Sequence, residues 1–214
     1  MTRIKVCGLT RLGDALSCVD FGVDTLGINF WSGTKRRCDV GTAREIVKAV
    51  GDRAELVALF VDATEHEIRE TLEATGIRWV QLHGSEPPEL VAAFLPYAYK
   101  ALRVKGSGIR EEARAYPGEH LLLDAYVPGG VPGGTGHTFD WSLAEELARE
   151  RKLTLAGGLV PSNVGEAIRR VRPYRVDVAS GVESAPGIKD PELVRAFVEA
   201  VREADRALGG SPAR

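Results

Sequence analysis

The chain of 214 residues holds three cysteines, at positions 7, 18 and 38, with no C-x-x-C pair among them. An odd count without that spacing argues against a disulfide framework and against a zinc site. A formal net charge of −2 supplies no basic stripe, so a nucleic-acid partner has no electrostatic support. No apolar run approaches the ~20 residues of a membrane-spanning helix. The opening Met1-Thr2-Arg3-Ile4-Lys5 lacks the apolar centre of a signal peptide, so the expectation is a soluble, reduced, cytoplasmic protein with no membrane partner. Two asparagines, one glutamine and one methionine leave few heat-labile residues, while arginine outnumbers lysine by 21 to 7. Few labile residues fit a thermophile, but arginine in place of lysine is not the thermophile signal, so composition leaves thermostability open. Nucleotide fingerprints are incomplete as well. Gly129-Gly130-Val131-Pro132-Gly133-Gly134-Thr135 has P-loop spacing without the lysine, and Gly134-Thr135-Gly136 has no third glycine, which argues against ATP and NAD.

What is present is a repeat. Eight short apolar runs end, mostly, in residues able to do chemistry or hold a ligand: Lys5-Val6 in Cys7, Leu26-Gly27-Ile28 in Asn29, Leu59-Phe60-Val61 in Asp62, and Val80-Gln81-Leu82 in His83. Ala101-Leu102 leads to Arg103, Leu121-Leu122-Leu123 to Asp124, Leu153-Thr154-Leu155-Ala156 to Gly157-Gly158, and Val176-Asp177-Val178-Ala179 to Ser180-Gly181. Helical patterns fall between and after them, over Asp14–Phe21, Thr42–Val50, Glu65–Ala74, Pro88–Phe94, Gly108–Ala115, Ser142–Glu150, Asn163–Val171 and Pro191–Ala207. Thr42 and Thr64 read as N-caps, and Asp190 as the residue before a proline at the first helical position. Strand–helix alternation at roughly 26 residues per unit is close to the ~30 of a βαβ unit. The expected fold is therefore a single-domain α/β protein, a (β/α)8 TIM barrel with parallel strands over residues 1–207, followed by a C-terminal tail, 208–214. An open doubly wound sheet is the competing arrangement.

The strand period of two groups Lys5 with Cys7, Gly27 with Asn29, Gln81 with His83, and Leu122 with Asp124. If the alternate apolar set faces the helices, these residues line the upper lumen, where side chains from separate strands converge. Glycine turns after the seventh and eighth strands, Gly157-Gly158 and Ser180-Gly181, stand where barrel enzymes hold phosphate, because a bare backbone approaches an anion closely. A lone cysteine is ordinarily a small buried hydrophobe. At a strand end beside Lys5, Cys7 reads instead as a reactive thiolate. Asp124 either hydrogen-bonds the start of its loop or, at the end of an apolar strand, acts as a general acid with a raised pKa. His83 is more often structural than catalytic, and His66, His120 and His137 read as surface residues. Lys35-Arg36-Arg37 lies on the loop after strand two, where one arginine is placed to grip a carboxylate by two hydrogen bonds.

Lys5-Val6-Cys7-Gly8-Leu9-Thr10, Val80-Gln81-Leu82-His83-Gly84, Gly133-Gly134-Thr135-Gly136 with Phe139-Asp140-Trp141, Leu155-Ala156-Gly157-Gly158-Leu159 with Asn163-Val164, and Asp177-Val178-Ala179-Ser180-Gly181-Val182-Glu183 occur in this order along the chain. Together they resemble the phosphoribosylanthranilate isomerase family. The resemblance implies an Amadori rearrangement of N-(5-phospho-β-D-ribosyl)anthranilate in tryptophan biosynthesis, a small phosphosugar partner, no cofactor and no metal. It implies Asp124 as the general acid and Cys7 as the general base. It also implies Arg36 on the anthranilate carboxylate with His83 beside it, and Gly157, Gly158, Ser180 and Gly181 at the phosphate. Asp177 falls within a motif and is assigned to the substrate pocket. Assembly is left as monomer or homodimer. The segment Ser32–Arg37 departs from the frequent Ser-Pro-Arg form, and Ala179 stands where serine is common.

Rival readings share the barrel. A sugar isomerase that also serves histidine biosynthesis is expected to carry an aspartate in place of Cys7. A phosphosugar epimerase would share the phosphate turns, and an indole-glycerol-phosphate synthase would want a pocket lysine and glutamates. A non-catalytic phosphometabolite-binding protein would need neither Cys7 nor Asp124.

Overall fold

The computed structural model describes residues 1–104, 108–124 and 141–209. Eight parallel strands close into one barrel in sequence order: β1 (Arg3–Cys7), β2 (Thr25–Asn29), β3 (Glu55–Phe60), β4 (Trp79–Leu82), β5 (Ala98–Arg103), β6 (His120–Asp124), β7 (Lys152–Ala156) and β8 (Arg175–Val178). Closure comes from β1 pairing with β8, with Lys5 opposite Asp177, which eliminates the open-sheet alternative. The helices are α1 (Leu12–Asp20), α2 (Val40–Val50), α3 (Glu65–Thr75), α4 (Pro88–Ala92), α5 (Ile109–Ala115), α6 (Trp141–Glu150), α7 (Val164–Val171) and α8 (Pro191–Ala207). No described helix is long and apolar enough to cross a membrane.

Helix starts follow side-chain chemistry. Thr64 and Glu67 form a reciprocal capping box at α3, and Asp190 accepts from the backbone of Glu192 at 2.9 Å ahead of Pro191. At α2 the expectation of a Thr42 cap is corrected. Asp39 is the cap, its Oδ1 accepting from the Thr42 N–H at 2.9 Å, so the helix begins earlier, at Val40. Asp competes as well as Thr for the orphan donors of a first turn, and here it lies one turn upstream.

Alternation along each strand divides two cores. The outward set, including Ile4, Val6, Leu26, Ile28, Leu121 and Leu123, packs under the helices, where α8 buries Val194, Phe197, Val198 and Val201 at helical spacing. Each such side chain contributes ~1.5–3 kcal/mol of burial. The inward apolar cluster is small, Val57, Tyr99, Ala101, Leu122 and Ala156 with Trp79 packed against it, because buried polar side chains such as Lys5, Thr25, Gln81, Thr154, Arg175 and Asp177 take much of the remaining lumen. An antiparallel hairpin follows β8, β9 (Glu183–Ala185) and β10 (Ile188–Lys189), which the repeat pattern does not reveal. The loop carrying Gly129–Gly136, His137, Phe139 and Asp140 lies outside the described residues, as do residues 210–214 of the tail.

Candidate active site

Register places the chemistry. Cys7 pairs with Gly27, Asn29 with Leu59, and Arg103 with Asp124, so inward-pointing side chains ring the C-terminal mouth at matched heights. Cys7 sits there on β1 and Asp124 on β6, separated around the barrel by β7 and β8. The Cys7 sulfur leans over β2. A Cβ built on Gly27 would come within 2.7 Å of Sγ, so the absence of a side chain at Gly27 is what makes room for the thiol. A glycine inside a strand is a sign of such close approach, and it is the signal by which Gly27 is found.

Below Cys7, Lys5 is fully buried and its Nζ lies 2.6 Å from Asp177 Oδ2. This overturns the expectation that Lys5 makes Cys7 a thiolate. Burial pushes the Cys7 thiol above its ordinary value, and the Asp177 carboxylate adds to the rise that Lys5 opposes. The Lys5 charge is already matched by Asp177. Asp177 is therefore a buried partner of Lys5, with Oδ1 making no hydrogen bond to any described residue. Breaking such a buried pair costs about 3–5 kcal/mol, because it leaves one uncompensated charge.

A chain of polar side chains reaches Asp124. Tyr99 donates its hydroxyl to Gln81 Oε1 at 3.0 Å, which directs the Gln81 amide Nε2 at His83 Nδ1, 3.1 Å away. The Gln81 amide favours the tautomer in which Nδ1 accepts, and His83 Nε2 faces Asp124 Oδ2 at 3.4 Å, a close approach longer than a strong hydrogen bond. His83 thus stands next to the proposed acid as well as at the pocket wall. Its loop is held by two residues that sequence reasoning missed. Buried Glu86 accepts from the backbone N–H groups of Asp62 and Gly84, both at 2.9 Å, and pairs with Lys100 Nζ at 3.1 Å. A lysine inside the apolar run of β5 is the trace of this pair in the sequence.

On the loop after β2, Arg36 is half-buried and Arg37 exposed. Glu183 holds Arg36 side-on, with Nε at 2.9 Å from Oε1 and Nη2 at 2.7 Å from Oε2. That leaves Nη1 and the second Nη2 hydrogen, an end-on fork, for a ligand. The guanidinium stem lies on Gly8, next to Cys7, where a Cβ would come within 2.8 Å of Arg36 Cδ. After β7, Gly157 and Gly158 have φ of 93° and 66°, conformations that favour glycine, and a Cβ on Gly158 would meet nothing within 4 Å. Asn163 fixes that turn, donating to the Gly158 carbonyl at 3.0 Å. Exposed Ser180 opens the 3-10 turn after β8, whereas a Cβ on Gly181 would overlap the Leu159 carbonyl oxygen. Gly181 therefore also lets the two turns pack together.

The other histidines divide. His66 is exposed at 82%, as expected. His120 is not a surface residue: it sits half-buried at the opposite, N-terminal end of the barrel, ring to ring with Trp79 at 5.0 Å and Tyr174 at 5.4 Å. Burial there, helped by Arg175 and Lys152, lowers its pKa to about 4.

Residues 4–200 match the family model described as N-(5'phosphoribosyl)anthranilate (PRA) isomerase. The chain belongs to this isomerase family. It is 49% identical over 205 residues to the N-(5'-phosphoribosyl)anthranilate isomerase of Myxococcus xanthus, covering 94% of this chain and 96% of that one. The crystal structure of phosphoribosyl anthranilate isomerase from Thermotoga maritima aligns with a TM-score of 0.86 at 37% identity, covering 95% of this chain and all of that one, 100%. A phosphoribosyl anthranilate isomerase solved in complex with reduced 1-(o-carboxyphenylamino)-1-deoxyribulose 5-phosphate aligns with a TM-score of 0.83 at 35% identity, covering 95% and 100%. The isomerase acts in tryptophan biosynthesis.

Proposed function

We propose that Asp124 and Cys7 divide the Amadori rearrangement of N-(5-phospho-β-D-ribosyl)anthranilate as acid and base. Asp124 gives a proton to the ribose ring oxygen as the bond from that oxygen to C1′ breaks, and the anthranilate nitrogen lone pair forms the C1′=N iminium. Cys7, once it has lost its own proton to solvent and stands as the thiolate, removes the C2′ proton to become the thiol, so its raised pKa limits the fraction of ready base and strengthens the base that forms. The C–H electrons become the C1′=C2′ double bond, and the iminium electrons return to nitrogen. The resulting enolamine takes a proton at C1′ and loses one from the C2′ hydroxyl, giving 1-(2-carboxyphenylamino)-1-deoxyribulose 5-phosphate. The end-on fork of Arg36 receives the anthranilate carboxylate with His83 alongside, and the turns at Gly157-Gly158 and Ser180-Gly181 receive the phosphate.

The observation that carries this division is the register: Cys7 and Asp124 close separate strands on the inward face of one mouth, flanked by the arginine and the glycine turns. Each general acid or base contributes ~10²–10⁴-fold, so Cys7→Ala and Asp124→Asn should each lower kcat by at least about 100-fold. Loss of substrate fluorescence measures the rate and circular dichroism the fold. Near-normal turnover in either folded variant removes that residue from its role.

A further inference from the structure

Behind the mouth, Lys189 on β10 is buried to 4% exposure and commits its whole ammonium group to protein atoms. Nζ donates to the Cys7 carbonyl at 2.7 Å, to the Ala179 carbonyl at 3.1 Å and to Glu183 Oε1 at 2.9 Å. The Lys189 backbone N–H donates to Asp14 Oδ2 at 3.0 Å, anchoring the hairpin to α1. One charge thus touches the backbone of the proposed base, the backbone just before Ser180-Gly181, and the carboxylate that orients Arg36.

An ammonium has three donors and no acceptor, so none is left over for phosphate or substrate. Charge neutralisation alone does not explain the lysine either, because Glu183 already has Arg36 as its counter-ion at 2.7 Å. Burial alone would raise the Glu183 pKa, but hydrogen bonds from Arg36 and Lys189 hold it below the usual carboxylate range, so Glu183 stays ionised.

We propose that Lys189 is a positioning residue that fixes the base, the phosphate turn and the carboxylate-gripping arginine in one frame, with Glu183 as its arm to Arg36. This rests on the roles of Cys7, Arg36 and Ser180-Gly181 given above.

The test is steady-state kinetics of the full chain, with inorganic phosphate as a competitive inhibitor, for Glu183→Gln, Lys189→Met and Arg36→Ala. Small misplacements of reacting groups cost up to about 100-fold. Glu183→Gln should therefore raise KM about 10-fold, with kcat within about threefold and the phosphate inhibition constant within about twofold. Lys189→Met should lower kcat at least about 10-fold and raise both KM and the phosphate constant at least about fivefold. Loss of folded protein lowers apparent kcat but moves neither KM nor the inhibition constant, so this split separates positioning from mere support. If Lys189→Met does not fold, Lys189→Gln is judged by the same three constants. Arg36→Ala separates the two levels of the argument. An unchanged KM there refutes the arginine's role itself. A raised KM there, with Glu183 and Lys189 variants within about twofold of wild type in all three constants, overturns the proposal.

Discussion

Gly27→Ala is a one-carbon change that should strike the chemistry and spare binding. The new Cβ would stand 2.7 Å from Cys7 Sγ, 3.1 Å from Cys7 Cα and 3.2 Å from Cys7 Cβ. Comfortable heavy-atom contacts lie at ~3.5–4.0 Å, so the sulfur must retreat by about 1 Å while the β1 backbone yields a few tenths. A displacement of that size at a reacting atom costs up to about 100-fold in rate. Overpacking costs about 1–3 kcal/mol of stability, and the lower unfolded-chain entropy of alanine returns about 0.5–1 kcal/mol of it. The expected variant is folded, with a melting point lowered by a few degrees, kcat down about 30- to 100-fold and KM nearly unchanged. KM is spared because the three atoms nearest the new Cβ all belong to Cys7 and none to Arg36 or to the turn at Gly157-Gly158. Fluorescence-monitored turnover over a range of substrate concentrations gives both constants, and a thermal melt gives the stability. A folded variant that keeps kcat within about threefold of wild type would show that the sulfur position does not govern the proton transfer, and with it the case for Cys7 as base would fall.

The raised Cys7 pKa predicts slow, pH-dependent alkylation. Inactivation by iodoacetamide should still be accelerating at pH 9, and a plateau below pH 8 would contradict the burial argument. Cys18 and Cys38, buried with thiols pushed up to about 12 and about 11, should stay unmodified in the native protein, as peptide mass mapping would show. Arg36→Ala should cost about 2–3 kcal/mol in kcat/KM and Arg36→Lys should recover only part of it, since an ammonium cannot form the end-on fork. A matching loss in Arg37→Ala, with Arg36→Ala unaffected, would shift the carboxylate site by one residue.

The period-two pattern makes the mouth legible from the amino-acid sequence alone. It puts Lys5 with Cys7, Gln81 with His83 and Leu122 with Asp124 on one face, and the closed barrel keeps those groupings. Helix existence is legible for the same reason, since an amphipathic run such as α8 buries one stripe wherever it docks. Helix starts are less so: Asp39 and Thr42 both suit a cap, and only the path of the chain decides between them. The environment of His120 is hidden because a histidine beside Glu119 reads as exposed, whereas its neighbours Trp79 and Tyr174 arrive from β4 and the approach to β8.

Charge states are the least legible, and the physical reason is specific. Periodicity says which face a side chain occupies; it does not say which charge meets it across a gap of 172 residues, as Asp177 meets Lys5. With Lys5 read alone, the Cys7 thiol is acidified; with Lys5 paired to Asp177 and the thiol buried, desolvation outweighs the lysine and raises the thiol pKa above its ordinary value. The same closure of β1 on β8 brings Lys189 under the Cys7 carbonyl. The surroundings of Cys7, the proposed base, are therefore set by partners contributed from the far end of the chain, which makes the β1–β8 seam the place where a change remote from the substrate should most directly alter the proposed proton transfer.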